Sequence, residues 1–349
     1  MGSCLRFGSL AVESTALASA GNNPPYISAW AWSASSFGTR FSDPVTPPAA
    51  ESWGVAFTRA GDYIAYAHAV SPYISAYPFS PSGFGTKLSN PSSLPAGWGR
   101  SVAFTNAEDV VFLGHDTSPF VSAYAWSGGF GTKYSDPGTL PSGSTYGLAV
   151  LQDDTVVALG TQASPFILAY AWTSAGGFGA KYTNPVTLPA GAARGIDFTK
   201  GKDALIVPHE LTPFVTAYAW SSGFGTKYSD PGVLPPGHGY GGRFTSTELA
   251  AIISNRVIDA GDCETSAWAW SASGFGTRYS NPSIFEQGHG WSTTMSGSSN
   301  YVGIGVNATG PYTAISVYPW SDSTGYGTRF TDPSVVVAGG FGIAFNGHF

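Results

Sequence analysis

One phrase recurs seven times along this chain, and no fold is acceptable that does not account for it. The string Phe-Gly-Thr-Lys/Arg-aromatic-Ser/Thr-Asp/Asn-Pro begins at Phe37, Phe84, Phe130, Phe178, Phe224, Phe275 and Tyr326. Successive copies lie 47, 46, 48, 46, 51 and 51 residues apart. Leu88 replaces the internal aromatic in the second copy and Ala180 replaces Thr in the fourth. A period of this length points to propellers, arrays or helical solenoids.

Periodicity within the repeat separates these. Segments such as Phe120-Val-Ser-Ala-Tyr-Ala-Trp126 put large residues at alternate positions, which is the period of a strand. Upstream lie two further short runs, Ser101–Phe104 and Asp109–Leu113, with a turn of the Thr-Asn-Ala-Glu type between them. The anchor phrase supplies a fourth strand, Thr132–Ser135, which ends at Asp136-Pro137 because proline cannot continue a ladder. Four strands in each of seven repeats predict an all-β, closed seven-bladed β-propeller.

The ends of the chain fit a ring. Phe341–Phe345 reads as an innermost strand with nothing after it, and the first repeat offers one strand, Gly8–Val12, ahead of Tyr26–Trp30. Residues 1–48 plus 340–349 are therefore expected to build blade 1, with blades 2–7 within 49–339, all in one domain spanning 1–349. Ala16-Leu-Ala-Ser-Ala20 behind Arg6 has the form of a cleavage site, yet Glu13, Ser14 and Thr15 interrupt the apolar stretch, so no export signal is expected.

In each repeat the large pair, Tyr124/Trp126 in the third, should face one neighbour and the alanines, Ala123 and Ala125, the other. The seven basic residues Arg40, Lys87, Lys133, Lys181, Lys227, Arg278 and Arg329 each precede an Asp or Asn by three positions. Three of those partners are amides, so the expected role is a turn tether rather than a polyanion crown. Only 10% of residues are charged and the net charge is −6, which gives nucleic acid or an anionic membrane no electrostatic footing. Cys4 and Cys263 form no metal or redox motif and are expected to be free thiols.

Function on a propeller should sit where the copies differ. The spacing between first and third strands is longer in repeats six, seven and one, which become contiguous in a closed ring. The loops there nominate Asn22, Asn23, Asn255, Arg256, Asp259, Asp262, Asn307 and Tyr312 as contact residues. Trp53, Trp98, Tyr146, Tyr240, Trp291 and Phe341 precede innermost strands and are expected around the channel mouth, where they could stack on sugar rings. His68, His115 and His209 occupy equivalent loop positions, with His238 and His289 between blades; hydrogen bonding rather than a metal is expected of them. No Ser/His/Asp arrangement, carboxylate pair or nucleophilic cysteine stands apart from the repeat, so neither an enzyme nor a cofactor is expected.

The phrase Ser118-Pro-Phe-Val-Ser-Ala-Tyr-Ala-Trp126 through Phe130-Gly-Thr-Lys-Tyr-Ser-Asp-Pro137 resembles the WD-like repeat of structural proteins from tailed bacteriophages and prophages. Ser101–Asp109 resembles the inner strand and turn of WD-repeat propellers, although the Gly-His and Trp-Asp signatures are out of register. The resemblance runs from Pro25 to Phe345 and offers no catalytic residues to carry over. It implies a virion protein, capsid-decorating or tail-associated, whose partners are other virion proteins. Two other readings stay open at this point: a lectin-like propeller for host surface glycan, and a protein–protein scaffold.

Overall fold

The computed structural model describes residues 14–33, 36–257, 262–285, 288–308, 314–333 and 339–347. Its 28 strands form seven four-stranded antiparallel sheets, one per repeat. Blade 3 is typical: Gly99–Phe104, Val110–His115, Val121–Trp126 and Phe130–Lys133 follow one another outward. Each inner strand touches the inner strand of the next blade all the way round. None of the described residues forms a helix long and apolar enough to cross a membrane.

The ring closes as the leftover strand requires. Gly342–Phe345 pairs with Ala16–Ala20, with Leu17 opposite Phe345 and Ala18 opposite Ala344. The second strand of blade 1 is thus Ala16–Ala20, every residue buried, rather than the expected Gly8–Val12, which lies outside the described residues. The shift has a simple cause: Ala-Leu-Ala-Ser-Ala supplies the small face that blade 2 packs on, and Ala16, Ala18 and Ala20 share a cluster with Tyr66, Tyr77 and Phe79.

The expected two-faced blade is present throughout. Seven apolar clusters each join two neighbouring blades. Tyr124 and Trp126 of blade 3 pack on Ala65, Ala67 and Ala76 of blade 2, and Trp30 and Trp32 of blade 1 pack on Ala314, Ile315 and Val317 of blade 7. Each enclosed ring buries about 150–250 Å².

The anchor phrase does more than start a strand. Its fourth strand begins at Phe130, two residues earlier than expected, because Phe130 stands edge-on to Trp126 at 5.3 Å. The next aromatic reaches the following blade: Tyr134 meets Trp172 at 5.0 Å and Tyr228 meets Trp270 at 5.1 Å. Phe330 meets Trp32 at 5.3 Å across the closure. That clasp needs glycine in the next blade's outer turn: Gly274, at φ 93°, would place a Cβ 2.9 Å from the Tyr228 ring. The basic residues are tethers, as expected. All seven hydrogen-bond the Asp or Asn three positions on, for example Arg278 to Asn281 at 3.0 Å.

Trp172 lies at the centre of one such clasp and Trp98 is 45% exposed. Trp172→Ala should therefore cost about 3–5 kcal/mol, and Trp98→Ala should cost under about 1 kcal/mol. Urea midpoints of the two variants check this.

Candidate functional site

Every inner strand enters the ring from one face, and in five blades the ladder is interrupted there. In blade 2, Ser52 pairs with His68 and Gly54 with Ala67, so Trp53 is an extra, unpaired residue. Arg100, Tyr146 and Trp291 are the extra residues in blades 3, 4 and 7, and the irregularity in blade 6 falls at Tyr240. A bulge re-aims its side chain out of the sheet. These bulges aim theirs into the channel mouth, where Arg194 of blade 5 and Phe341 of blade 1 complete a ring of seven.

The residue after each ring position is Gly54, Ser101, Gly147, Gly195, Gly241, Ser292 or Gly342. Here the inner strands converge. A Cβ on Gly195 would lie 2.6 Å from the Tyr240 carbonyl oxygen, and one on Gly241 would lie 2.6 Å from the Thr293 nitrogen. Small residues are obligatory where neighbouring inner strands pack this closely.

The ring is continuous. Trp53 stacks on Phe341 at 4.2 Å and 7°, Phe341 meets Trp291 at 5.2 Å, and Trp291 meets Tyr240 at 4.6 Å. The Arg194 guanidinium spans Tyr240 and Tyr146, at 5.4 and 3.9 Å, and that of Arg100 spans Tyr146 and Trp53, at 5.7 and 4.7 Å. The cavity within has a volume of about 280 Å³, with Arg243 lower in its wall. The indole Nε1 atoms of Trp53 and Trp291 are buried without a hydrogen-bond partner.

Five of the six expected mouth aromatics are in this ring. Trp98 is not: it sits two residues before Arg100, outside the cavity lining, at 5.3 Å from that guanidinium. Arg100 and Arg194 were missed because a search for aromatics cannot find arginines. Position would have found them, since every ring residue immediately precedes the Gly or Ser of its inner strand. The channel also holds a singular charged pair. Asp197 accepts from Arg243 at 2.9 Å and from the Phe244 amide at 2.8 Å, and burial pushes its carboxyl up against the pull of that arginine.

The irregular sector takes a different form from the one expected. In blades 6 and 7 Asn255, Arg256 and Asn307 lie within strands of extended first hairpins and not in loops. Gly237–Phe244 with Ala250–Val257, and Gly288–Met295 with Tyr301–Ala308, run to eight residues per strand. Asn255 is buried and donates to Ser266 Oγ at 2.8 Å and to the Cys263 carbonyl at 3.3 Å, so it is no contact residue. Arg256 is exposed opposite His238, and Asn307 is half-buried opposite His289. Asp262 is half-buried, Asn22 and Asn23 are exposed, and Asp259 and Tyr312 lie outside the described residues. Cys263 is a free, buried thiol, pushed up by burial and by Glu264; Cys4 lies outside the described residues.

The histidines are not loop residues either. His68 and His115 end second strands, and His209 follows Pro208 at the end of one, bridging to Ala193; all three are buried, with Nε2 bonded to Ser75, Ser122 and Thr216 at 3.0, 3.1 and 2.9 Å. His238 and His289 belong to inner strands. Among the described residues no group of three or more His, Cys, Asp or Glu could hold a metal ion.

No protein-family model matches the chain, and no curated protein is significantly similar in sequence. Solved structures share its fold. A Lactobacillus plantarum protein superposes with a TM-score of 0.74 at 13% identity, covering 96% of this chain and 99% of its own. A Bacteroides uniformis protein described as a "putative 6-phosphogluconolactonase" gives 0.71 at 13% identity, covering 96% and 100%. The structure of U3-55K gives 0.61 at 9% identity, covering 87% and 88%. At such identities the likeness is one of architecture.

Burial pushes His68, His115 and His209 down to about 4 from an ordinary 6.5. The unfolded chain therefore takes up protons below pH 6.5 that the folded chain refuses until about pH 4. Their stabilising effect is complete above pH 6.5 and lost as the pH falls toward 4. The melting temperature should drop across that window, and the His68→Gln/His115→Gln/His209→Gln variant should flatten the drop. Scanning calorimetry at half-unit pH steps checks it.

Proposed function

We propose that this protein is a non-enzymatic recognition propeller that holds a carbohydrate at the mouth of its channel. The proposed setting is a tailed-phage particle, as a capsid-decorating or tail-associated component. The observation that carries the recognition reading is the ring of Trp53, Arg100, Tyr146, Arg194, Tyr240, Trp291 and Phe341 around one cavity. That all seven blades share a small residue after the mouth position explains the ring's geometry; it does not explain why five of seven positions are aromatic. Aromatic walls with a few polar groups are the usual lining of a small-molecule site, and about 280 Å³ suits a ligand the size of one sugar unit. The two unpartnered indole N–H groups supply donors for hydroxyls.

What supports the non-enzymatic reading is the state of the acids near the channel. Asp116, Glu210 and Asp197 each accept from an arginine, Arg100, Arg194 and Arg243 respectively. No described acid faces the cavity beside a base that could work with it. The likeness to a lactonase-named structure is one of fold and carries no activity to this chain. The virion setting is supported by the repeat resemblance, and a rigid closed disc suits that duty.

Two measurements test this reading. On a glycan array, Trp291→Ala should lose about tenfold or more in affinity and Trp98→Ala should match the parent; equal loss in both would remove the mouth from the account. Quantitative mass spectrometry of purified particles should find the protein at a fixed copy number, and its absence from them would overturn the virion setting.

A further inference from the structure

The carbohydrate reading leaves open what kind of sugar fits, and the wall of the cavity speaks to that. Only 15 residues of this chain are basic, and seven of these are the outer tethers. Of the eight that remain, Arg100, Arg194 and Arg243 line the single mouth cavity. No carboxylate is among its described lining residues. In a chain of net charge −6, that convergence is a departure from the rest of the molecule.

Each guanidinium is gripped from behind. Arg100 Nη2 meets Asp116 at 3.4 Å, Arg194 donates through Nε and Nη2 to Glu210, and Arg243 Nη1 meets Asp197 at 2.9 Å. Those carboxylates stand outside the cavity lining. Their effect is to fix the plane of each guanidinium. A guanidinium carries five N–H donors in a rigid fork, so two partners never exhaust it. Arg100 Nε is buried and has no partner. The same wall holds Ser101 Oγ, Ser292 Oγ and Thr293 Oγ1, also unpartnered.

We propose that the mouth ligand is an anionic sugar, a ring bearing a carboxylate or a phosphate, whose acidic group is held by Arg100, Arg194 and Arg243 while its ring lies among the aromatics. This rests on the reading of the mouth as a carbohydrate site. Because each arginine has its own acid behind it, the pairs cancel at a distance. Attraction comes instead from short, charge-assisted hydrogen bonds, which choose by geometry rather than by field. A purely structural ring of cation–aromatic contacts would have no reason to keep every carboxylate out of the cavity wall.

Titration calorimetry on the full chain with glucuronate, glucose 6-phosphate and glucose tests the proposal. At least one acid should bind about tenfold or more tighter than glucose, and the preferred acid distinguishes carboxylate from phosphate. Arg100→Gln alone would leave Asp116 without its partner, so the informative variant is Arg100→Gln with Asp116→Asn. It should erase most of the preference, weakening the acids about tenfold or more and glucose much less, since the aromatic rings that hold the sugar remain. Trp291→Ala should weaken acids and glucose alike. Equal binding of all three sugars would overturn the anionic ligand and keep the carbohydrate site. An acid preference that survives both this double variant and Arg243→Gln with Asp197→Asn would also overturn it. Failure of all three sugars to bind would overturn both readings.

Discussion

Everything in this molecule depends on one contact made seven times, the aromatic face of a blade against the small-residue face of the blade before it. Tyr124 and Trp126 against Ala65, Ala67 and Ala76 is the pattern, and Trp30 and Trp32 against blade 7 closes it. A single four-stranded sheet of this composition cannot bury two such faces by itself. The ring can, and a circle of interfaces has no terminal face to protect. That explains how a chain with so few charges and so many glycines and prolines holds a defined fold. The aromatic mass lies between blades, clasped outside by Tyr134, Tyr228 and Phe330.

Closing the circle brings the inner strands into contact, and the channel follows from that. Where neighbouring inner strands meet there is room for Gly195 and Gly241 and no space for a Cβ. In five blades the residue just before that small residue leaves the ladder and turns toward the axis. The mouth ring is therefore a by-product of closure in its position and a free choice in its chemistry. Five rings and two guanidiniums occupy positions that the fold requires to be filled but does not require to be aromatic. This is the physical basis for reading the ring as functional and the tethers Arg278–Asn281 and their kin as structural.

Much of this was legible beforehand. The repeat carried the blade number, the strand order, the two faces and the leftover strand, and the tether role of Lys133 and its equivalents followed from amides such as Asn90 and Asn184. Three things were not legible in the same way. Gly8–Val12 and Ala16–Ala20 look equally strand-like, and only packing against Tyr77 distinguishes the second. The longer spacings in repeats six and seven read as loops, whereas Asn255 and Asn307 continue their strands. An extra four residues can lengthen a hairpin as readily as a loop, because period-two pattern is weak where Asn, Arg and Gly mix. Trp98 was chosen over Arg100 because residue type was weighed above register.

The sequence by itself determined the architecture, since a seven-fold repeat of alternating large and small residues has one economical closed packing. It also determined the outer tethers, which lie three residues apart and need no tertiary partner. Tertiary structure decided which side chains share the channel. Arg100, Arg194 and Arg243 are separated by 94 and 49 residues along the chain, and no local pattern relates them. They meet because inner strands from successive blades are parallel neighbours around one axis, and a bulge or a face, not a motif, aims each one inward.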